Sequence, residues 1–139
     1  MDVVVLIGRI LFAVLFVGSA FGHLSQSEMM GGYAASKGVP AARAAVIVSG
    51  LLILAGSLMV AIGIWADLGA ILLVVFLIPT AVIMHGPWKA EEEQKQMEQT
   101  QFLKDLALAG AALALFAVFA TNPDLGLTVT DPLFEAAFQ

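Results

Sequence analysis

Four long runs of apolar residues alternate with polar stretches along this chain. The runs cover residues 3–22, 44–65, 68–84 and 102–120. Each is about as long as the roughly 17–25 residues that an α-helix needs to cross the bilayer core. The pattern therefore predicts four membrane-spanning helices. Only a short polar break at Asp67 separates the second run from the third, so we expect these two to form an antiparallel hairpin.

The two longer polar stretches carry helix signals of their own. In the first, a helix through Met29 and Tyr33 is predicted to end near Gly38, and Pro40 then starts the second run. The second stretch, residues 89–100, lacks glycine and proline and is rich in good helix formers. We therefore expect a short loop helix in the first stretch. In the second we expect a polar extension that stands in the water and continues into the fourth span.

The segment after the fourth run predicts a short interfacial C-terminal helix. Asp131 and Pro132 are typical of an N-cap and a first helical turn. The apolar stripe of this helix would consist of Leu133, Phe134, Ala137 and Phe138. Taken together, the pattern indicates an all-α protein, an integral membrane four-helix bundle that forms a single domain over residues 1–139.

Composition agrees with a chain whose main solvent is lipid. The chain is 60% hydrophobic and 12% charged, against about 45–50% and about 25% in soluble domains, and its mean hydropathy is +0.97. It has no cysteine, which excludes disulfides, thiol catalysis, iron–sulfur ligation and cysteine-based zinc sites. The net charge of -5 is of the sign that ordinarily argues against an anionic partner such as nucleic acid, but in a membrane chain the location of each charge matters more than the sum. The lipid bilayer is therefore the first partner that we expect.

The basic residues predict an orientation in the cell (inner) membrane. Four spans place both termini on one side, here called the termini side, and the two longer loops on the opposite side, here called the loop side. Five of the six basic residues belong to the loop side, namely Lys37, Arg43, Lys89, Lys95 and Lys104. The positive-inside rule therefore predicts a cytoplasmic loop side and non-cytoplasmic termini.

Arg9, the sixth basic residue, lies inside the first apolar run. A charge within a span is costly, about 2.5–3.5 kcal/mol at the helix centre on insertion scales. Its guanidinium either snorkels to the headgroups on the termini side, or faces the bundle interior and binds a carboxylate, a carbonyl or a polar ligand. Asp105 would be a counter-charge, but it enters from the opposite side, about 15 Å away in depth by helical rise. We therefore do not expect a direct pair.

Several residues with chemical potential converge on the loop side. His23 follows the first run, His85 and Trp88 follow the third, and Lys104 and Asp105 lie in the opening turn of the fourth. Trp88 is also typical of an aromatic anchor at the membrane interface, and each histidine has the alternative of a solvated interfacial imidazole. These five residues, with the intramembrane arginine, are our candidates for a ligand-binding site.

The sequence contains no complete catalytic set, and we assign no catalytic residue. It has no phosphate-binding loop, no Ser-His-Asp order and no pair of intramembrane carboxylates. Two histidines alone do not predict haem, and without an i,i+3 or i,i+4 ligand pair we expect no metal site. A quinone needs less: an apolar slot open to lipid, an aromatic wall and one or two donors for its carbonyls. Those groups would come from His85, Trp88, Lys104 and Arg9.

Short motifs are spread over most of the chain. The first two spans contain Gly8-Arg9-Ile10-Leu11-Phe12, Lys37-Gly38-Val39-Pro40 and Gly50-Leu51-Leu52. The third closes with His85-Gly86-Pro87-Trp88, and the fourth follows Gln96-Met97-Glu98-Gln99 and opens with Phe102-Leu103-Lys104-Asp105-Leu106. In combination these motifs resemble the DoxX family of small four-span membrane proteins. Asp105 departs from the family, which usually has Asn there; an aspartate can donate a hydrogen bond only when protonated.

The resemblance implies a membrane redox setting, because the family is named from a subunit of a thiosulfate–quinone or terminal oxidase system. One hypothesis is a redox-associated subunit that binds quinone or quinol, or a membrane or soluble redox partner. If this subunit is an enzyme at all, it is an oxidoreductase. The alternative is a non-enzymatic assembly factor, chaperone or docking protein whose helix over residues 89–100 binds a soluble partner. A homo-oligomer is compatible with both hypotheses. A solute carrier ranks last because no inverted repeat is visible.

Overall fold

The computed structural model of the protein describes residues 1–134, which form five α-helices and one short 3-10 helix. The helices are α1 (Asp2–Ser25), α2 (Ser27–Ser36), α3 (Ala42–Ile62), α4 (Ala66–Met84) and α5 (Lys95–Thr121), with the 3-10 turn Pro87–Lys89 before α5. Four of them, α1, α3, α4 and α5, are long and apolar enough to cross a membrane. The predicted all-α membrane bundle with a short loop helix is thus confirmed.

The apolar residues of the bundle are divided between its interior and its outer surface. Phe16, Ile53 and Leu73 are buried where the helices meet. Leu11 and Leu103, by contrast, are more than half exposed on the outside. A helix that is apolar both inside and outside fits a lipid environment, where the outer face needs no polar coat. The burial pattern therefore supports the membrane assignment independently of helix length.

The α3–α4 hairpin is confirmed and is closely packed. Its turn begins at Gly63, which caps α3 in the left-handed conformation with φ 82°. Further along, a Cβ added to Gly69 would lie 2.8 Å from the carbonyl oxygen of Gly56. Two glycines facing each other let the helix backbones approach closely. This contact brings the two spans together near the termini side.

The polar extension of α5 is shorter than predicted. The helix begins at Lys95, because the chain uses residues 89–94 to reverse direction after α4. Residues 95–97, 99 and 100 of the extension are exposed, as expected, and one side chain differs. Its Glu98 is 2% exposed and hydrogen-bonds to Tyr33 and Lys37 of the α2 region. One buried carboxylate therefore ties the otherwise solvated extension to the loop helix.

The C-terminal segment does not start a helix where the sequence predicts one. Within residues 131–134, Leu133 and Phe134 form a bend. The backbone N–H of Phe134 donates to Oδ2 of the buried Asp67, at 2.7 Å, which ties the segment to the start of α4. The other two residues of the predicted stripe, Ala137 and Phe138, lie outside the described residues.

Candidate functional site

A cavity of about 710 Å³ lies at the loop side, between α1, α2, α3 and α4. Its wall is largely apolar, with contributions from Met30, Leu52 and Phe76. Val48 and Val75 also line it, and both are more than half exposed on the outer surface of the bundle. The cavity therefore opens sideways, toward the lipid. Its volume lies within the roughly 300–1,000 Å³ that is typical of small-molecule sites.

Three hydroxyl groups line the cavity, and each donates its proton within the protein. Ser49 and Thr80 donate to backbone carbonyl oxygens one turn earlier in their own helices, at 2.9 and 2.7 Å. Tyr33 donates to Oε1 of Glu98 at 3.0 Å. A hydroxyl has a single proton to donate. A ligand in the cavity would therefore meet these oxygens as acceptors only.

His23 enters the cavity wall from the end of α1. Its Nδ1 lies 2.9 Å from Oγ of Ser49 and 3.2 Å from the carbonyl oxygen of Val46. The Ser49 hydroxyl donates to that same carbonyl. Both oxygens therefore act as acceptors toward the ring, so Nδ1 carries the proton. The imidazole also packs edge-on against Phe76, with ring centroids 5.7 Å apart.

His85 enters the wall from the end of α4 and is held in the same way. Its Nδ1 lies 2.8 Å from Oε2 of Glu98. An ionised carboxylate only accepts hydrogen bonds, so this Nδ1 is protonated as well. The carboxylate thereby fixes both the tautomer and the orientation of the ring.

Glu98 is the centre of the polar network at the loop side. Its Oε1 accepts hydrogen bonds from the Tyr33 hydroxyl and from Nζ of Lys37, at 3.0 and 3.2 Å, while Oε2 faces His85. Partial burial lowers the pKa of Lys37, but hydrogen bonds to Glu98 and Tyr33 outweigh burial and raise this pKa above the usual lysine value. The ammonium and carboxylate therefore stay paired. Together with His85, this pair joins α2, α4 and α5.

Sequence reasoning missed this network. Tyr33 and Glu98 are 65 positions apart, and Lys37 and Glu98 are 61 apart. A glutamate in a Gln- and Lys-rich segment also resembles any solvated helix position. The one available signal was the position of Glu98 within the motif Gln96-Met97-Glu98-Gln99, and this motif does not identify a partner for the carboxylate. Only the tertiary contact between α2 and α5 identifies the residue.

Three candidate residues lie at the loop side but do not line the cavity. Trp88 is 60% exposed and packs edge-on against Phe102, with centroids 5.4 Å apart. That position suits an interfacial anchor. Nζ of Lys104 lies 3.6 Å from Oδ1 of Asp105, whose side chain is buried. These two neighbouring charges thus compensate each other on α5, away from the cavity wall.

Arg9 lies on the termini side, and the structure does not join it to the cavity. Its side chain is 1% exposed, and Nη2 donates to the carbonyl oxygen of Leu127 at 3.1 Å. The guanidinium also lies over the ring of Phe119, 5.7 Å from its centroid. Arg9 therefore faces the interior and binds a backbone carbonyl, whereas snorkelling would have exposed it to the headgroups. The structure therefore does not bring Arg9 together with the candidate residues on the loop side.

Comparison with protein-family models gives a match over the first part of the chain. The family model for DoxX matches residues 4–86, which is more than half of the 139 residues of the chain. The match includes the whole cavity lining and both histidines, and it ends before α5 and Glu98. No curated protein and no solved structure matches the chain.

Proposed function

Since this chain belongs to the DoxX family, a family of small multi-span membrane proteins, we propose that its cavity binds a quinone or quinol taken from the bilayer. In this proposal the protein is a redox-associated subunit that works beside an oxidoreductase partner. The observation that carries the proposal is the cavity of about 710 Å³, which is apolar, open to lipid and flanked by two histidines.

The shape and chemistry of the cavity support a lipid-soluble ring with polar substituents. A quinone head group needs apolar contacts on its ring faces and hydrogen-bond partners for its two oxygens. Phe76 and Leu52 supply apolar contacts, and His23 and His85 supply hydrogen-bond partners. The side opening between Val48 and Val75 would leave an isoprenoid tail in the bilayer.

The proposal also includes an orientation. With the loop side in the cytoplasm, as the positive-inside rule predicts, the cavity lies close to the cytoplasmic interface. A redox partner would then approach the face that carries Trp88 and the exposed residues Glu91 and Glu92.

Co-purification tests this function. The protein is isolated from its membranes in mild detergent, extracted with organic solvent and analysed by mass spectrometry. We expect quinone or quinol in roughly stoichiometric amounts, and we expect added decylubiquinone to raise the thermal unfolding temperature. If no quinone is recovered and decylubiquinone gives no protection, the proposal fails, and the non-enzymatic assembly or docking function takes its place.

A further inference from the structure

We propose that the cavity selects the reduced, dihydroxy form of its ligand, the quinol, over the quinone. This inference rests on the proposed function and specifies which redox form the site holds. It follows from the way in which the two cavity histidines, His23 and His85, are fixed by the protein around them.

Both histidines present an unprotonated ring nitrogen. Their Nδ1 atoms carry the proton, because each faces oxygens that accept it. In a neutral imidazole the other nitrogen, Nε2, then has a lone pair and no hydrogen. Within residues 1–134, the hydrogen bonds of both rings are made through Nδ1. Each Nε2 is therefore left to accept a hydrogen bond from a ligand.

The carboxylate that fixes His85 is shared with a lysine. Oε1 of Glu98 is paired with the ammonium of Lys37, at 3.2 Å. Oε2 of the same carboxylate is left to accept from Nδ1 of His85, at 2.8 Å. Glu98 therefore fixes the proton of the neutral ring on Nδ1, and Nε2 is the nitrogen that remains for a ligand.

A quinol complements this site, and a quinone does not. Each quinol hydroxyl can donate to an imidazole lone pair, whereas each quinone carbonyl has only lone pairs of its own. Ser49 and Thr80 cannot compensate, because their hydroxyl protons are bound to backbone carbonyls. Because the quinol can donate two hydrogen bonds that the quinone cannot, we expect the quinol to bind about tenfold more tightly than the quinone.

The Glu98→Gln substitution tests the inference by moving one proton. Lys37 and Tyr33 both donate to the Oε1 position, so the glutamine oxygen will occupy that position and the NH₂ group will face His85. Nδ1 of His85 must then accept, and its proton moves to Nε2. The ring becomes a donor toward the cavity, which suits a quinone carbonyl.

The experiment measures binding of three probes under anaerobic conditions in detergent: decylubiquinol, decylubiquinone and the dimethyl ether of decylubiquinol. For the wild-type protein we expect about tenfold tighter binding of the quinol than of the quinone, and weak binding of the ether, which cannot donate. In Glu98→Gln the preference should disappear or reverse. In His23→Phe, which removes one acceptor, it should fall several-fold. Thr100→Val, which removes a hydroxyl that is bound within α5 and lies outside the cavity, should keep the wild-type preference.

Several results would overturn the inference. Equal or tighter binding of the quinone by the wild-type protein would do so while leaving the proposed function in place. A Glu98→Gln protein that keeps the wild-type preference would do so as well. If none of the three probes binds, the proposed function fails along with the inference. If Glu98→Gln does not fold, ¹⁵N NMR of the wild-type histidines tests the inference instead. Unprotonated Nε2 atoms would support it, and protonated Nε2 atoms would overturn it.

Discussion

Nη2 of Arg9 lies 3.1 Å from the carbonyl oxygen of Leu127, a residue 118 positions further along the chain. This bond holds the segment after α5 against the termini side of the bundle. The same segment is held at Gly63, whose carbonyl accepts from the amides of Val129 and Thr130 at 2.9 and 3.2 Å. The buried arginine of the first span thus fastens the C-terminal loop.

Replacing Arg9 should loosen this loop without affecting the cavity. In Arg9→Met, the charge-assisted bond to Leu127 is lost, which corresponds to about 1.5–3 kcal/mol of local stability. We expect amide hydrogen exchange in residues 123–130 to become at least tenfold faster, as measured by mass spectrometry. Arg43→Met, at an exposed position on the loop side, is the control and should leave the loop protected. Unchanged exchange in Arg9→Met would contradict the fastening role.

Removing the Glu98 carboxylate should destabilise the fold. Glu98→Ala leaves the donors of Tyr33, Lys37 and His85 without their acceptor, so we expect a loss of about 2–3 kcal/mol in the free energy of unfolding. Lys37→Met, at a partly exposed position, should cost less than about 1 kcal/mol. Unfolding in mixed micelles followed by circular dichroism gives these values. Glu93→Ala, at an exposed position in the same acidic segment, should behave like the wild type; equal losses for Glu98→Ala and Glu93→Ala would refute the network.

Two helical glycines should differ sharply in their tolerance of alanine. A Cβ on Gly69 would lie 2.7 Å from Cβ of Met59 and 2.8 Å from the carbonyl oxygen of Gly56, whereas one on Gly18 meets nothing within 4 Å. Overpacking of this kind costs about 1–3 kcal/mol. We expect Gly69→Ala to lower the thermal unfolding temperature and Gly18→Ala to leave it unchanged. A Gly69→Ala protein as stable as Gly18→Ala would mean that α3 and α4 are further apart than described here.

The proposed orientation can be tested with single cysteines, because the natural chain has none. Asp124→Cys lies on the termini side and Glu92→Cys on the loop side, and both positions are exposed. A membrane-impermeant maleimide added to intact cells, or to spheroplasts if an outer membrane is present, should label Asp124→Cys. It should label Glu92→Cys only after lysis. The reverse labelling pattern would place the cavity at the opposite face of the membrane.

The spans were predictable because the physics that creates them is local. A run such as residues 44–65 has no stable place in water whatever its partners are, and its length alone matches a bilayer. The ends were less predictable. α5 begins at Lys95 because the chain must turn after Pro87–Lys89. The amino-acid composition of a segment does not predict the geometry of such a turn.

The site was only half predictable. His23 and His85 were identified from their position at the ends of spans, and the structure places both in one cavity wall. Glu98, which fixes His85, was missed because its partners come from distant parts of the sequence. Arg9 was identified as a charge within a span, but its partner is the backbone carbonyl of Leu127. Every residue has such a carbonyl, so the sequence does not show which one will be the partner.

The most direct test of the account is to fill the cavity and measure quinone binding. Ala45 lines the cavity, so Ala45→Phe should reduce binding of decylubiquinone and decylubiquinol at least tenfold, as measured by titration calorimetry in detergent. Ala111→Phe adds the same side chain at an exposed position on α5 and should bind like the wild type. Equal binding by Ala45→Phe and Ala111→Phe would show that the ligand does not occupy this cavity and would contradict the central claim.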